Sequence, residues 1–461
     1  MEITFYGYVL IPLLVVLSIV KPKYLIYFLI ISLTLQVTSL FNIGNYSMQV
    51  YRFITILLSV RFMIYILRKG MLIKLRDKSL KGILIIGTLF ALFTNMWSYS
   101  APFIFSGYPV FPPELGIDFS AVYGPSPLHF SPYNIAYSGY IFLYLLTLMY
   151  ISILNWTEKD IIIIKRVIVI CLFIVVLTSI SQVVSYIFGT LDITKYVYTI
   201  TTREFGYSLI GDLLPIPRIQ ATYQEPSMLA PFLVGLYSSY FYRTLTKFNY
   251  LNLFLIILIC LLVILSTSTT AYLSLLIMTF ILILYLKPVK ISKFSIKIRR
   301  KLVLQLFTVL LLLVLLVVIT VCLIIGLDKF IYLVDSYIVK KSETVSFINR
   351  TTADLHALNL FFNTYGLGVG LGSNRPSSLL PYLLSQVGII GTLLFIIFIG
   401  KISAYFYKAL KNTNYFEFFF FVPSVLISQL IVYPDITNPT LWQFIYVALI
   451  TSLGVKNETL H

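Results

Sequence analysis

Apolar runs recur along the whole chain, near 5–20, 24–40, 49–67, 83–99, 134–154, 167–189, 226–242, 250–266, 268–286, 302–326, 380–400, 414–433 and 437–454. Each comes close to the roughly 17–25 residues a helix needs to cross a bilayer. The pattern predicts an all-α polytopic membrane protein with about 12–13 transmembrane helices, forming one integral membrane domain over residues 1–461. The segments between runs alternate in charge. Those at 21–23, 68–82, 155–166, 243–249, 287–301, 401–411 and 455–461 hold most of the 34 Lys and Arg. Basic connectors stay in the cytoplasm, which puts the amino terminus outside and the carboxyl terminus inside.

Composition supports this reading. Of 461 residues 59% are hydrophobic and 11% charged, with mean hydropathy +0.94, against about 25% charged in a soluble domain. The net charge of +17 follows from the cytoplasmic loops, so no nucleic-acid partner is expected. Cys171, Cys260 and Cys322 sit inside apolar runs as small hydrophobes, without metal-ligand or disulfide spacing. The first run lacks the basic flank and small-residue site of a cleavable signal peptide.

The other side carries most acidic residues, including Glu114, Asp118, Asp192, Glu204, Asp212, Glu225, Asp335 and Asp354. Three of its connectors, 100–133, 190–225 and 327–380, exceed the usual limit of about 12–15 residues and are candidates for function. The first is rich in proline and aromatics and reads as a packed cover. The second holds Lys195, Arg203 and Arg218, cations on the side the charge bias disfavours. A guanidinium there can bind phosphate bidentately or pair with a local carboxylate. Arg218 precedes Glu225-Pro226, where proline suits a first helical turn and glutamate the cap. A helix amino end is an anion site; Glu225 is either a plain cap or a proton acceptor.

In the third connector a helical pattern starts at Thr351, capped with Asp354, with Leu355, Leu358 and Phe362 on one apolar stripe and Arg350 at its entrance. A short amphipathic external helix is expected, ended at Gly366. Glycine then occupies every second position from Gly366 to Gly372, a run that permits close backbone approach to a ligand. Arg375 follows. Arg52 and Arg61 lie in the third run and can snorkel or line a cavity. Ser266–Thr270 and Asp435–Pro439 read as structural turns.

Arg218 through Pro226, Arg350, the glycine run ending at Ser373 and Gln386-Val387-Gly388-Ile389-Ile390-Gly391 together resemble the O-antigen polymerase and O-antigen ligase superfamily (Wzy/WaaL-like). The resemblance covers about residues 200–400. It implies a membrane glycosyltransferase-like helical bundle that transfers a glycan from a polyprenyl pyrophosphate carrier to an acceptor sugar. That transfer would occur on the outer face of the bacterial cytoplasmic membrane, without metal, nucleotide or other cofactor. Arg218 and Arg350 match the family's pyrophosphate-holding arginines; Arg203 and Arg375 are further candidates. The partners implied are the polyprenyl-pyrophosphate-linked oligosaccharide and membrane lipid, with a flippase and a chain-length regulator as candidate protein partners. Family ligases carry a His-Asn pair where this chain reads Arg375-Pro-Ser-Ser-Leu-Leu-Pro381. The three histidines, His129, His356 and His461, lie elsewhere. This departure favours a polymerase over a ligase and leaves His356, Glu225 or no dedicated residue as the base. A lipid-linked oligosaccharide flippase is the alternative of another class, although the chain shows neither the paired halves nor the many intramembrane charges expected of one.

Overall fold

The computed structural model describes residues 1–44, 46–69, 77–113, 124–201, 209–210, 214–286, 289–292, 295–298, 315, 344–432 and 434–458. The expected span at 302–326, apart from Leu315, lies outside them, as do Arg203, Glu114, Asp118, Glu204, Asp212, Asp335 and His461.

The protein is mostly helical. Six described helices are long and apolar enough to cross a membrane: α3 (Val50–Lys69), α4 (Leu80–Ile104), α5 (Pro132–Ile153), α6 (Glu158–Phe188), α10 (Thr269–Leu286) and α12 (Leu379–Leu410). Shorter apolar helices are α1 (Phe5–Val20), α2 (Pro22–Ser32), α9 (Tyr250–Ser266) and α13 (Phe416–Ile431), the last opening with a 3-10 turn. A multi-pass membrane protein follows from these lengths and compositions.

Two helices fill the centre. In α8 (Pro226–Thr246) every residue from Pro226 to Ser239 is buried, and in α14 (Pro439–Glu458) the same holds as far as Gly454. They touch where Gly235 meets Phe444, so closely that a Cβ would lie 2.2 Å from the ring. A helix surrounded on all sides by protein has no lipid-facing stripe to keep apolar, which explains the serines and threonines in both.

The connectors gather in two groups. In one, Lys23 donates to Asp160 at 2.7 Å, Lys456 to Asp77 at 2.6 Å, and Arg243 to Glu417 at 3.1 Å. In the other, Ser39 bonds Thr199, Asp354 takes the backbone N–H groups of Ser377 and Ser378, and Arg218 bonds Thr267.

Several boundaries differ from expectation. The run at 24–40 is helical only to Ser32. Polar Thr34, Gln36, Thr38 and Ser39 then lead into a three-stranded sheet of β1 (Glu2–Ile3), β2 (Ser39–Ile43) and β3 (Tyr46–Gln49), turned at Gly44 with φ +54°. Residues from Glu158 onward belong to α6 rather than to a loop, because Thr157 and Asp160 form a capping box there. That motif satisfies orphan amides before the apolar stretch begins.

Helix α11 (Val345–Asn363) starts two turns before Thr351; Thr344 caps it by accepting from Phe347 N–H. Arg350 therefore lies within the helix. Its apolar stripe is also not the buried one. Leu355 and Phe362 are 58% and 70% exposed, whereas Ala353, Ala357 and Leu360 face the protein. Small residues let the helix approach the bundle closely, and the larger apolar residues are left outward.

Candidate functional site

The glycine run anchors the segment that carries Arg375. Gly366, Gly368, Gly370 and Gly372 all have positive φ, a conformation that costs an L side chain roughly 1–2 kcal/mol. Their backbone zips onto a break in α12, where Gly388 has φ +64°. Val369 and Gly370 N–H donate to the Ser385 and Gln386 carbonyls at 2.8 Å, and Ile389 N–H donates to Gly366 O at 2.9 Å. Helix carbonyls and amides freed by the break are thereby satisfied, as non-helical backbone inside a membrane bundle requires. The close approach is made to protein, not to an open cleft: a Cβ on Gly372 would sit 2.6 Å from Tyr133 O.

That segment fixes Asn374 and Arg375. Asn374 Oδ1 accepts from Phe111 N–H at 3.0 Å, and Arg375 N–H donates to Phe111 O at 2.9 Å. The Arg375 guanidinium reaches Pro113 O at 3.4 Å and acts electrostatically on Asp435 and Tyr137.

Asp435 stands in the connector between α13 and α14. Its Oδ1 accepts Thr437 N–H and Oγ1–H, both at 2.7 Å, with Tyr382 OH at 3.4 Å. Burial pushes its carboxyl above the ordinary value, against the hydrogen bonds from Thr437 and the pull of Arg375 and Arg52. Arg52, in the first turn of α3, completes the set. Its guanidinium lies 4.2 Å from the ring centre of Tyr140 and 5.7 Å from that of Tyr51. Arg52 Nε is buried and, among the described residues, has no hydrogen-bond acceptor. Two cations from separate elements thus act on one carboxylate, with Tyr382 bonded to Asp435 and Tyr140 stacked under Arg52. The constellation can bind a polyanion and exchange a proton.

The other sequence candidates have different surroundings. Arg218 Nε donates to Thr267 Oγ1 at 2.7 Å and its Nη2 to Thr267 O at 3.4 Å. Thr267 caps α9 in the left-handed region with φ +46°. A cation at a helix carboxyl end is favoured by the dipole, so this contact pins the tight α9–α10 turn. Glu225 stands at the cap position of α8 with Pro226 first in the helix; Ser227 Oγ donates to its Oε2 at 3.1 Å. His356 Nε2 bonds Pro109 O at 3.0 Å and its ring stacks on Phe111 with centroids 4.5 Å apart, stitching α11 to the 100–133 connector. Burial lowers its pKa, outweighing that hydrogen bond. Arg350 is half-buried one turn before Asp354, on the same face of α11, which binds Ser377 and Ser378 beyond Arg375.

Of the arginines expected in the site, the structure brings Arg375 to another cation and a carboxylate. Arg52 was marked in the sequence by its charge inside an apolar run; Asp435 read as a turn residue, and nothing local distinguishes it. No protein-family model and no curated protein matches the chain.

Proposed function

We propose that this protein is a membrane glycosyltransferase that joins polyprenyl-pyrophosphate-linked oligosaccharide repeat units on the outer face of the bacterial cytoplasmic membrane. The observation that carries the proposal is that Arg52 and Arg375, from separate elements, both act electrostatically on Asp435. A departing pyrophosphate is a polyanion, and prepositioned cations stabilise the charge that grows as the glycosyl bond breaks. Arg52 and Arg375 take that role, with Arg350 on α11 as a further candidate, while Arg218 pins the α9–α10 turn. A soluble phosphosugar enzyme would have no reason to place such groups at the end of a membrane bundle. A lipid-linked donor gives one, since its chain stays in the bilayer and its diphosphate lies at the interface. Tyr46, 40% exposed, can present its ring to the sugar beside it.

The test is purified protein in proteoliposomes supplied with a lipid-linked repeat unit. The expected result is a ladder of longer lipid-linked products, reduced about 100-fold or more by Arg375→Ala. A single transfer to another acceptor would replace polymerisation by ligation. Absence of any transferred glycan, with the donor instead moved across the bilayer, would overturn the proposal.

A further inference from the structure

The two carboxylate oxygens of Asp435 are not equivalent. Oδ1 is occupied by the Thr437 amide and hydroxyl and by Tyr382 OH. Among the described residues no donor reaches Oδ2, and no cation makes a direct ion pair with the carboxylate. Such an arrangement fixes the orientation of the group and leaves one oxygen open. A carboxylate serving only as a counter-ion would be expected to close on a guanidinium in a forked pair. Here the cations stand off: Arg52 is held by the ring of Tyr140, and Arg375 by the Phe111–Pro113 backbone. The group has the charge pattern of a group-transfer site, cations for the leaving group and an oriented carboxylate for the nucleophile.

We propose that Asp435 is the general base that takes the proton of the acceptor hydroxyl. This rests on the glycan-joining reading above. The acceptor oxygen forms the new bond to the anomeric carbon while its proton passes to Asp435 Oδ2. The bond from the anomeric carbon to the pyrophosphate oxygen breaks, and its electron pair leaves with the pyrophosphate, held by Arg52 and Arg375. The proton on Asp435 is then lost to water, so the site is restored without any further reactant. Tyr382 and Thr437 are positioning residues that hold the carboxylate through Oδ1. Burial makes the carboxylate a stronger base than an exposed aspartate. The groups facing it are Arg52 and Tyr51 from α3, Tyr137 from α5, Arg375 before α12 and Tyr382 within α12.

The experiment compares wild type, Asp435→Asn and Asp435→Glu in proteoliposomes with a lipid-linked repeat unit, following ladder extension against pH and donor binding by competition. Asp435→Asn is expected to lose about 100-fold or more in extension rate while binding donor within twofold of wild type. Wild-type rate should rise with pH through the carboxylate's titration and then level off; in Asp435→Asn this rise disappears. Asp435→Glu should keep part of the activity with a displaced rise. An Asp435→Asn protein that extends within threefold of wild type, or keeps the wild-type pH profile, overturns the proposal while leaving glycan joining intact. Should Asp435→Asn fail to fold, an Asp435→Glu profile identical to wild type overturns it equally. A wild-type protein that makes no ladder removes the glycan-joining reading and this base with it.

Discussion

The Arg52 guanidinium stands 4.2 Å from the ring centre of Tyr140, and the Tyr140 hydroxyl lies 3.3 Å from that of Tyr46. A cation over an aromatic face gains about 0.5–2 kcal/mol without using its N–H donors. Tyr140 can therefore hold Arg52 in place while Nε, which has no acceptor among the described residues, is left for a ligand. Arg52→Ala is expected to lower glycan extension about 100- to 1,000-fold, the usual loss for one prepositioned donor. Arg52→Lys should not restore it, because an ammonium lacks the planar fork. Tyr140→Phe keeps the ring and should stay near wild type, whereas Tyr140→Leu should weaken donor binding. Donor competition and ladder rates on the four proteins check this.

His356 predicts a pH effect on stability. Burial lowers its pKa in the folded protein, so folding favours the neutral ring. Its contribution is present in full above the unfolded value of about 6.5 and is lost as pH falls through the lower, folded one. Wild type should therefore lose more thermal stability between pH 7.5 and 5 than His356→Gln does. The added loss should show as faster proteolysis in the 100–113 segment, since Pro109 O accepts the imidazole N–H. Equal pH sensitivity of the two proteins would contradict this.

The glycines divide sharply. A Cβ on Gly388 would fall 2.2 Å from Leu367 O, and one on Gly372 2.6 Å from Tyr133 O, both at positive φ. Overpacking costs about 1–3 kcal/mol, and the conformation adds roughly 1–2 kcal/mol. Gly388→Ala and Gly372→Ala should therefore melt well below wild type in detergent. Gly400, in the same helix as Gly388, has nothing within 4 Å of its would-be Cβ. Gly400→Ala should leave the melting temperature unchanged or slightly raised.

These contrasts show what was legible in the chain. Hydropathy is a local property, so the long apolar helices could be read directly, and the Gly366–Gly372 alternation marked unusual backbone. The partner of that backbone was not legible, because Val369 and Gly370 pair with the Ser385 and Gln386 carbonyls across a break that only tertiary packing creates. Periodicity found an apolar stripe on α11 but could not see that Ala353 and Ala357 would win the buried face through closer approach. Arg52 carried a signal, a charge within an apolar run. Asp435 carried none, since its meaning depends on residues more than 50 positions away in sequence, Arg375 and Arg52 among them.

Arg218 offers the cleanest separation of a supporting role from a ligand-binding one. Its Nε and Nη2 both donate to Thr267, which turns α9 into α10. Arg218→Ala removes the cation at the carboxyl end of α9 and leaves the Thr267 groups to find other partners, a loss of about 1 kcal/mol or more. Thr267→Ala removes the hydroxyl that takes Nε and should also lower the melting temperature, less the strain that a β-branched threonine bears at φ +46°. Because the two residues act through one contact, the double variant should fall short of the sum of the single losses. In the same proteins, donor affinity should drop far less for Arg218→Ala than for Arg375→Ala. Additive melting losses together with an equal drop in donor affinity would instead place the Arg218 guanidinium on the diphosphate.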